Sequence, residues 1–400
     1  MQELHISMLG AQGTGKSSLL ASMYYTFKKN AGELGFLMKP ASADDSNQLN
    51  DRHFEMLAHL QGVYGEEEGI PPGEEDHEYT LLLGFQKDSV QDYWLSLHFW
   101  DFPGGWINDN RERVIEHLNK SQVILIAIDT PSLVVDDTHG NYQLWHSKKN
   151  QPNIITDIFS EIALNEAKLV LFVPIKCEAW RQKNNGSQLI ADQVRKGYDG
   201  LITLLKKHPK ITLATTPVQT LGNYIWTGRT KKRDNKKEVL KDRFYPINSG
   251  VNGRSQFEPR EIDQPLIYML SFLSQQVRTF LTDNATHLEA GENEIKTTTT
   301  RIQSDIQHSI EARRGRNIFQ MLIDWIHDNT EEKWREGIEE LEEKHQQLER
   351  EFKKLDAEKQ QLFSKLAQLQ IPLSQLNHKR IEDKSRGFEV IQGKNQLLSE

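Results

Sequence analysis

Cysteine is nearly absent from this chain of 400 residues: Cys177 stands alone, which excludes an internal disulfide framework or a cysteine-rich zinc site and fits a reducing compartment. No apolar run approaches the roughly 18–20 residues that a membrane-spanning helix requires. The opening Met-Gln-Glu-Leu-His lacks the basic and apolar pattern of a secretory leader, so a cytoplasmic chain without a signal peptide is expected. Positive charge is not in excess either. Lys and Arg number 49 against 57 Asp and Glu, and the net charge of −8 argues against a general nucleic-acid binder. Apolar material, by contrast, is plentiful: 37 % of residues are hydrophobic, with 8 Trp and 16 Phe, enough to exclude a wholly disordered chain. The mean hydropathy of −0.64 nevertheless requires a long polar stretch somewhere. The length leaves room for two or three domains.

Over residues 1–285, short β-rich runs alternate with amphipathic stretches. Strands are predicted at Leu4–Leu9, Thr80–Phe85, Trp94–Trp100, Gln122–Ile128, Lys168–Ile175 and Ile211–Thr216. Helices are predicted from Lys16 to about Lys29, over Arg111–Asn119 and Leu189–Lys206, and from about Gln264 to Phe280. Several strands are continuously apolar, the pattern of a mostly parallel sheet covered on both faces, hence an α/β fold. Two polar insertions interrupt it, near 41–78 and 226–258. The second carries a basic cluster of Lys231, Lys232, Arg233, Lys236 and Lys237, read as a solvated insertion rather than a phosphate-binding patch.

Beyond residue 285 the strand signal disappears. A helical connector is expected over 286–328, a coiled-coil helix over 329–372 and a flexible tail over 373–400. Trp334, Ile338, Leu341, His345, Leu348, Phe352, Leu355, Lys359, Leu362, Leu366 and Leu369 alternate at steps of 4 and 3, a sustained heptad. Asn329 and Glu332 have the spacing of a capping box. A second apolar stripe lies upstream at Ile302, Ile306, Ile310, Ile318, Leu322 and Ile326. Two arrangements satisfy these stripes: an antiparallel hairpin turning near Asp328–Thr330, or a self-associating coil.

The strongest motif is Gly10-Ala-Gln-Gly-Thr-Gly-Lys16-Ser17, which satisfies G-x-x-x-x-G-K-[ST] after a predicted strand and before a predicted helix. Its glycines let successive N–H groups turn inward around phosphate oxygens at the positive end of a helix dipole. Gly10, Gln12, Gly13, Thr14, Gly15, Lys16, Ser17 and Ser18 are therefore the candidate phosphate-binding residues. Lys16 is expected to reach the β- and γ-phosphates and the Ser17 hydroxyl to ligate Mg²⁺. Downstream, a strand ends in Asp101, followed by Phe102-Pro103-Gly104. Asp101 is the candidate for the metal shell, and the Gly104 N–H for a γ-phosphate contact that couples nucleotide to the next loop.

The base is indicated by Ile175-Lys176-Cys177-Glu178, at the end of a buried strand. In guanine-nucleotide proteins the corresponding loop reads [NT]-K-x-D. Glu178 can accept from guanine N1–H and the 2-amino group, the Lys176 stem can pack along the base, and adenine offers a carboxylate no such donors. Ile175 replaces the usual Asn or Thr, so the polar brace between loops is missing. The loop at Thr216-Pro217 is expected to cover the base edge with backbone N–H groups. Cys177 reads as a small buried side chain and Trp180 as packing. A P-loop ATPase is the alternative left open by the imperfect motif.

Together these motifs resemble a translation-factor-class (TRAFAC) P-loop GTPase. Val173-Pro-Ile-Lys-Cys-Glu178, Trp100-Asp-Phe-Pro-Gly-Gly105 and Asp263-Gln-Pro-Leu-Ile-Tyr268 look more narrowly like the bacterial double-GTPase families of conflict and defence systems. The resemblance spans roughly residues 3–280. It implies a Ras-like fold, GTP and GDP as substrate and product, Mg²⁺, and a slow switch stimulated by assembly or a partner. Such a partner, a homo-oligomer, a second GTPase or an effector, would engage the coiled coil. The alternative is a nucleotide-binding scaffold with little turnover. For hydrolysis, Thr80 is the candidate for Mg²⁺ and the γ-phosphate. Gly105 and Trp106 occupy the place of the usual water-orienting Gln, so Gln12, where dynamin-like GTPases carry a Gln, is the candidate for that role.

Overall fold

The computed structural model describes residues 2–30, 36–60, 76–87, 90–134, 142–234, 237–246, 258–314, 339–340, 342–354, 356–357, 360 and 382–397. Contacts divide the chain into one unit of residues 1–275 with 372–400 and another of 276–371. In chain order the first unit begins with β1 (Gln2–Leu9), α1 (Lys16–Asn30), β2 (Phe36–Pro40), α2 (Ala43–Leu60), β3 (His77–Lys87) and β4 (Val90–Asp101). Next come α3 (Trp106–Asp109), α4 (Arg111–Lys120), β5 (Val123–Asp129), α5 (Thr130–Val134), α6 (Tyr142–Lys149), α7 (Pro152–Phe159) and β6 (Lys168–Ile175). Then follow α8 (Glu178–Arg181), α9 (Gly186–Gly197), α10 (Asp199–Lys206), β7 (Ile211–Thr215), β8 (Tyr224–Asp234), β9 (Lys237–Pro246), α11 (Gln264–Arg314) and β10 (Glu389–Gln392).

Eight strands form one sheet in the order β10-β7-β6-β5-β1-β4-β3-β2. β7, β6, β5, β1 and β4 are parallel, while β3, β2 and β10 join antiparallel at the edges. The side-chain period of two explains why the central strands are apolar throughout. Val123 and Leu125 of β5 enter a core with Leu20 and Met23 of α1 and Leu266 and Phe272 of α11. Ile124, Ile126 and Ile128 enter the opposite core, with Val114 of α4, Ile155 of α7 and Leu201 of α10. Each buried aliphatic side chain contributes about 1.5–3 kcal/mol, so both faces must be covered for the sheet to persist. This is the expected α/β architecture, a mostly parallel sheet with helices on both faces. No helix of the described residues is long and apolar enough to cross a membrane.

The polar insertions are more regular than their composition implies. Within 41–78 lies α2, opened by a reciprocal cap: the Asp45 N–H donates to Ser42 Oγ at 3.0 Å, and Ser42 Oγ donates to Asp45 Oδ2 at 2.7 Å. Within 226–258, β8 and β9 pair as a hairpin that carries Lys231, Lys232 and Arg233 on one strand and Lys237 on the other. Lys236 lies outside the described residues.

The expected flexible tail is corrected over 382–397. Glu389–Gln392 adds to the sheet edge as β10, with Val390 opposite Ala214 of β7. Gln392 Nε2 donates to the carbonyls of His208 at 2.9 Å and Ile211 at 2.7 Å. Phe388 is 1 % exposed, and Leu397 joins the core that contains α1. Deleting a buried aromatic ring costs about 3–5 kcal/mol. Phe388→Ala should therefore lower the urea midpoint of the first unit markedly; an unchanged midpoint would restore the flexible-tail reading.

In the second unit, helix α11 does not end near Phe280 but continues to Arg314. Gln303 Nε2 lies 3.0 Å from His345 Nε2, and the Lys296 ammonium sits 5.2 Å from the Phe352 ring centre. Seven residues forward on one helix match seven backward on the other, so the two segments run antiparallel. Two positions of the heptad seam, His345 and Phe352, thus face the chain's own α11, as the hairpin alternative requires. The Asn329–Glu332 box and residues 361–372 lie outside the described residues.

Candidate nucleotide site

The G-x-x-x-x-G-K-[ST] segment forms the loop between β1 and α1, with Lys16 opening the helix. Three glycines hold the left-handed backbone that the loop needs: Gly10 at φ 157°, Gly13 at 72° and Gly15 at 103°. Thr14 closes the turn, its Oγ1 donating to Ala11 O at 2.9 Å. Lys16 is buried and its Nζ donates to Gly10 O at 2.8 Å. Burial pushes the Lys16 ammonium below the ordinary lysine pKa, while the charge of Asp101 pulls it back up. Ser17 and Ser18 follow, half-buried on the first turn, and Gln12 is exposed.

Strand β4 is parallel to β1, with Met8 opposite Asp101, so pairing alone brings Asp101 to the loop. Its carboxyl is buried, which raises its pKa above the ordinary aspartate value against the pull of Lys16 and a hydrogen bond with Ser17. Asp101 Oδ1 is buried with no hydrogen-bond partner. An orphaned carboxylate oxygen beside a serine hydroxyl fits a hard divalent cation that takes oxygen ligands. Gly104 lies directly on the loop: a Cβ there would come 2.3 Å from Gln12 N and 2.5 Å from Ala11 C. The Asp101–Gly104 turn and the phosphate loop are thus in backbone contact.

On the other side, β6 delivers the Ile175–Glu178 loop. Ile175 substitutes an apolar contact for the missing polar brace, since a Cβ on Gly15 would meet its Cδ1 at 3.0 Å. Lys176 has a φ of 59°, and its Nζ donates to Asp129 Oδ1 at 2.7 Å. Glu178 is 1 % exposed. Its Oε1 accepts from the N–H groups of Leu221 at 2.5 Å and Gly222 at 3.2 Å, while Oε2 is buried without a partner. Burial raises its pKa to about 8, opposed by those N–H groups. Cys177 is fully buried, its Sγ 3.3 Å from Thr130 Oγ1, and burial pushes the thiol far above its ordinary pKa. Trp180 packs, as expected, stacking on Trp226 of β8 with ring centres 5.8 Å apart.

Two residues stand elsewhere than expected. Thr80 is an interior residue of β3, paired with His98, its Oγ1 3.4 Å from His98 Nδ1 and its N–H 3.4 Å from Asp45 Oδ1. Antiparallel register places His77, not Thr80, opposite Asp101; three residues along a strand are about 10 Å. The Thr216 N–H continues the sheet by donating to Phe172 O at 2.9 Å, and Val218 N–H donates to Pro174 O at 2.8 Å, so neither covers a base edge. Arg111 and Arg113 pair with Glu161 and Asp76 at 2.5 and 2.8 Å.

Three positions escape the motif reading. Asp129 ends β5 as Asp101 ends β4, and it is fully buried. It takes Lys176 on Oδ1 and both the N–H and the hydroxyl of Ser132 on Oδ2. Asn150 braces the Asp129 backbone, and Lys149 lies beside Gly13. A strand-end carboxylate is a readable signal for Asp129. Lys149 closes α6 and Asn150 follows it, where no periodic pattern singles them out.

No family model matches the sequence, and no curated protein matches it. Among solved structures the chain is similar to the signal recognition particle receptor SRb-GTP/SRX complex from Chaetomium thermophilum. That likeness has 13 % identity and a TM-score of 0.31, over 55 % of this chain and 94 % of that one. It is also similar to the S. cerevisiae Ski7 GTPase-like domain bound to GDP and inorganic phosphate, at 15 % identity and a TM-score of 0.30, over 56 % of this chain and 44 % of that one. Sheet order, glycine-rich loop and strand-end Asp101 define this chain as having a P-loop nucleotide-binding fold.

Proposed function

We propose that this protein binds GTP with Mg²⁺ and hydrolyses it slowly to GDP as a molecular switch. The observation that carries the phosphate half is the burial of Lys16 and Asp101 beside the half-buried Ser17, under a glycine loop on which Gly104 rests. Ser17 and Asp101 are the residues that would hold the metal, which would supply neutralisation of phosphate charge when bound. The backbone of 10–15 and Lys16 bind and orient the triphosphate. Because Gly104 touches Gln12, a γ-phosphate entering the loop meets the 102–109 segment, which is how occupancy would be read by a partner. Resemblance to the double-GTPase families makes bacterial conflict or defence, in the cytoplasm, the setting of this reading.

The guanine half rests on Glu178 Oε2, a buried acceptor without a partner next to a fixed one. Binding of guanine N1–H and the 2-amino group requires the carboxylate, and burial holds that group protonated below about pH 8. Guanine binding therefore releases a proton, and affinity should rise with pH by up to about tenfold per unit below that value. Competition of GTP against ATP between pH 6.5 and 9 checks this, because phosphate ionisation cancels in the ratio. The GTP preference should grow with pH in the wild type and be small and flat in Glu178→Gln. A wild type that prefers ATP would establish the ATPase alternative instead. Single-turnover cleavage separates a hydrolysing switch from a scaffold that only binds.

A further inference from the structure

Lys149 closes α6 and lies against the phosphate loop: a Cβ on Gly13 would come 2.9 Å from its Nζ and 4.0 Å from its Cε. The next two residues hold it there. Asn150 is 1 % exposed and makes a two-way link to the end of β5. The Asp129 N–H donates to Asn150 Oδ1 at 2.8 Å, and Asn150 Nδ2 donates to Asp129 O at 3.2 Å. Gln151 sits in the left-handed region at φ 48° and accepts from Asn108 Nδ2 at 3.3 Å, on the short helix that follows the Asp101 turn. The segment 149–151 therefore touches the phosphate loop, the strand that carries the Lys176 partner, and the second loop at once.

We propose that Lys149 is a catalytic residue, a cation supplied in cis to the terminal phosphates beside Lys16. The assignment rests on the GTP-hydrolysis reading. In that reaction a water oxygen bonds to the γ-phosphorus and the bond to the β–γ bridging oxygen breaks. The electron pair stays on the GDP oxygen, and the water protons leave with inorganic phosphate or solvent. Charge grows on the bridging oxygen as the bond lengthens, so a fixed ammonium there stabilises the transition state more than the ground state. Gly105 and Trp106 carry no charged side chain, so a cation at Gly13 supplies what the second loop lacks.

Single-turnover GTP cleavage and GDP affinity of the full chain test this in wild type, Lys149→Ala and Lys149→Arg. Lys149→Ala should cleave about 10²–10³-fold more slowly, with GDP affinity nearly unchanged, and Lys149→Arg should retain most of the rate. GDP with aluminium fluoride, a mimic of the transferring phosphoryl group, should bind the wild type and not Lys149→Ala. A Lys149→Ala protein as fast as a cleaving wild type overturns the assignment and leaves the function intact. So does a loss of GDP affinity as large as the loss of rate. A wild type that binds no GTP overturns the functional reading and the assignment together.

Discussion

Lys16→Met should abolish the nucleotide-induced rise in melting temperature, the largest single effect expected of any side chain in this protein. Lys16 is the buried ammonium of the phosphate loop, with its Nζ already at hydrogen-bond distance from a loop carbonyl. Hydrogen bonds to charged groups contribute about 1.5–3 kcal/mol each. An ammonium that bridges two phosphates makes two, so its loss corresponds to at least a hundredfold in affinity. A ligand at a hundred times its dissociation constant stabilises the folded state by about 2.7 kcal/mol, a shift of about 4 °C for a unit of about 300 residues. Each protein is compared with its own nucleotide-free melt, so any change in intrinsic stability cancels. Methionine keeps the stem length and removes the charge. A full GTP-induced shift in Lys16→Met would mean that the phosphates lie elsewhere.

The site was legible in the sequence wherever chemistry is tied to a strand end. Gly10–Ser17 and Asp101 fall together because β1 and β4 are parallel neighbours, and parallel strands end on the same side. The apolar strands β5 and β6 were legible for the same reason that they are central: both faces are covered, so every residue is buried. What was not legible lies at the edges. β10 is four residues long, with intermediate exposure along its length, and is specified by its partner β7 rather than by its own pattern. α2 is acidic and weakly apolar, and its start is marked by the short Ser42–Asp45 cap rather than by a periodic stripe. Spacing says nothing of antiparallel register, which sets Thr80 opposite His98 and His77 opposite Asp101. Asn150 and Lys149 depend on a tertiary hydrogen bond to Asp129 across 21 residues.

The C-terminal return also ties two distant parts of the first unit together. Residues 276–371 stand in the chain between the two pieces of the first unit, residues 1–275 and 372–400, and the second piece returns to the sheet through β10. Arg386 O accepts from Arg181 Nη1 at 2.5 Å, and Arg181 pairs with Glu261, so the returning segment is bonded to the short helix that begins with Glu178. Displacement of β10 would therefore reach the short helix that begins with Glu178.

Gly104→Ala should uncouple the second loop from the phosphate loop with the fold retained. The added methyl would lie 2.3 Å from Gln12 N and 2.4 Å from its Cα, against backbone atoms that cannot rotate aside. Relief requires the 102–109 segment to move outward, at a cost of about 1–3 kcal/mol as for other overpacked sites. Lys16, Ser17 and Asp101 stay in place, because none depends on Gly104, so GDP affinity should change by less than about tenfold. Cleavage should fall by about a hundredfold or more, because a transition-state contact from the Gly104 N–H is withdrawn. Trp106 opens the helix after this turn and stacks against Arg113 at 5.0 Å, so its fluorescence reports the displacement. The wild type should show a GTP-dependent change in that signal, and Gly104→Ala should start near the displaced value and respond little. Equal cleavage rates in the two proteins would mean that the contact between Gly104 and Gln12 plays no part in turnover, and the second loop would lose its role as the reader of nucleotide.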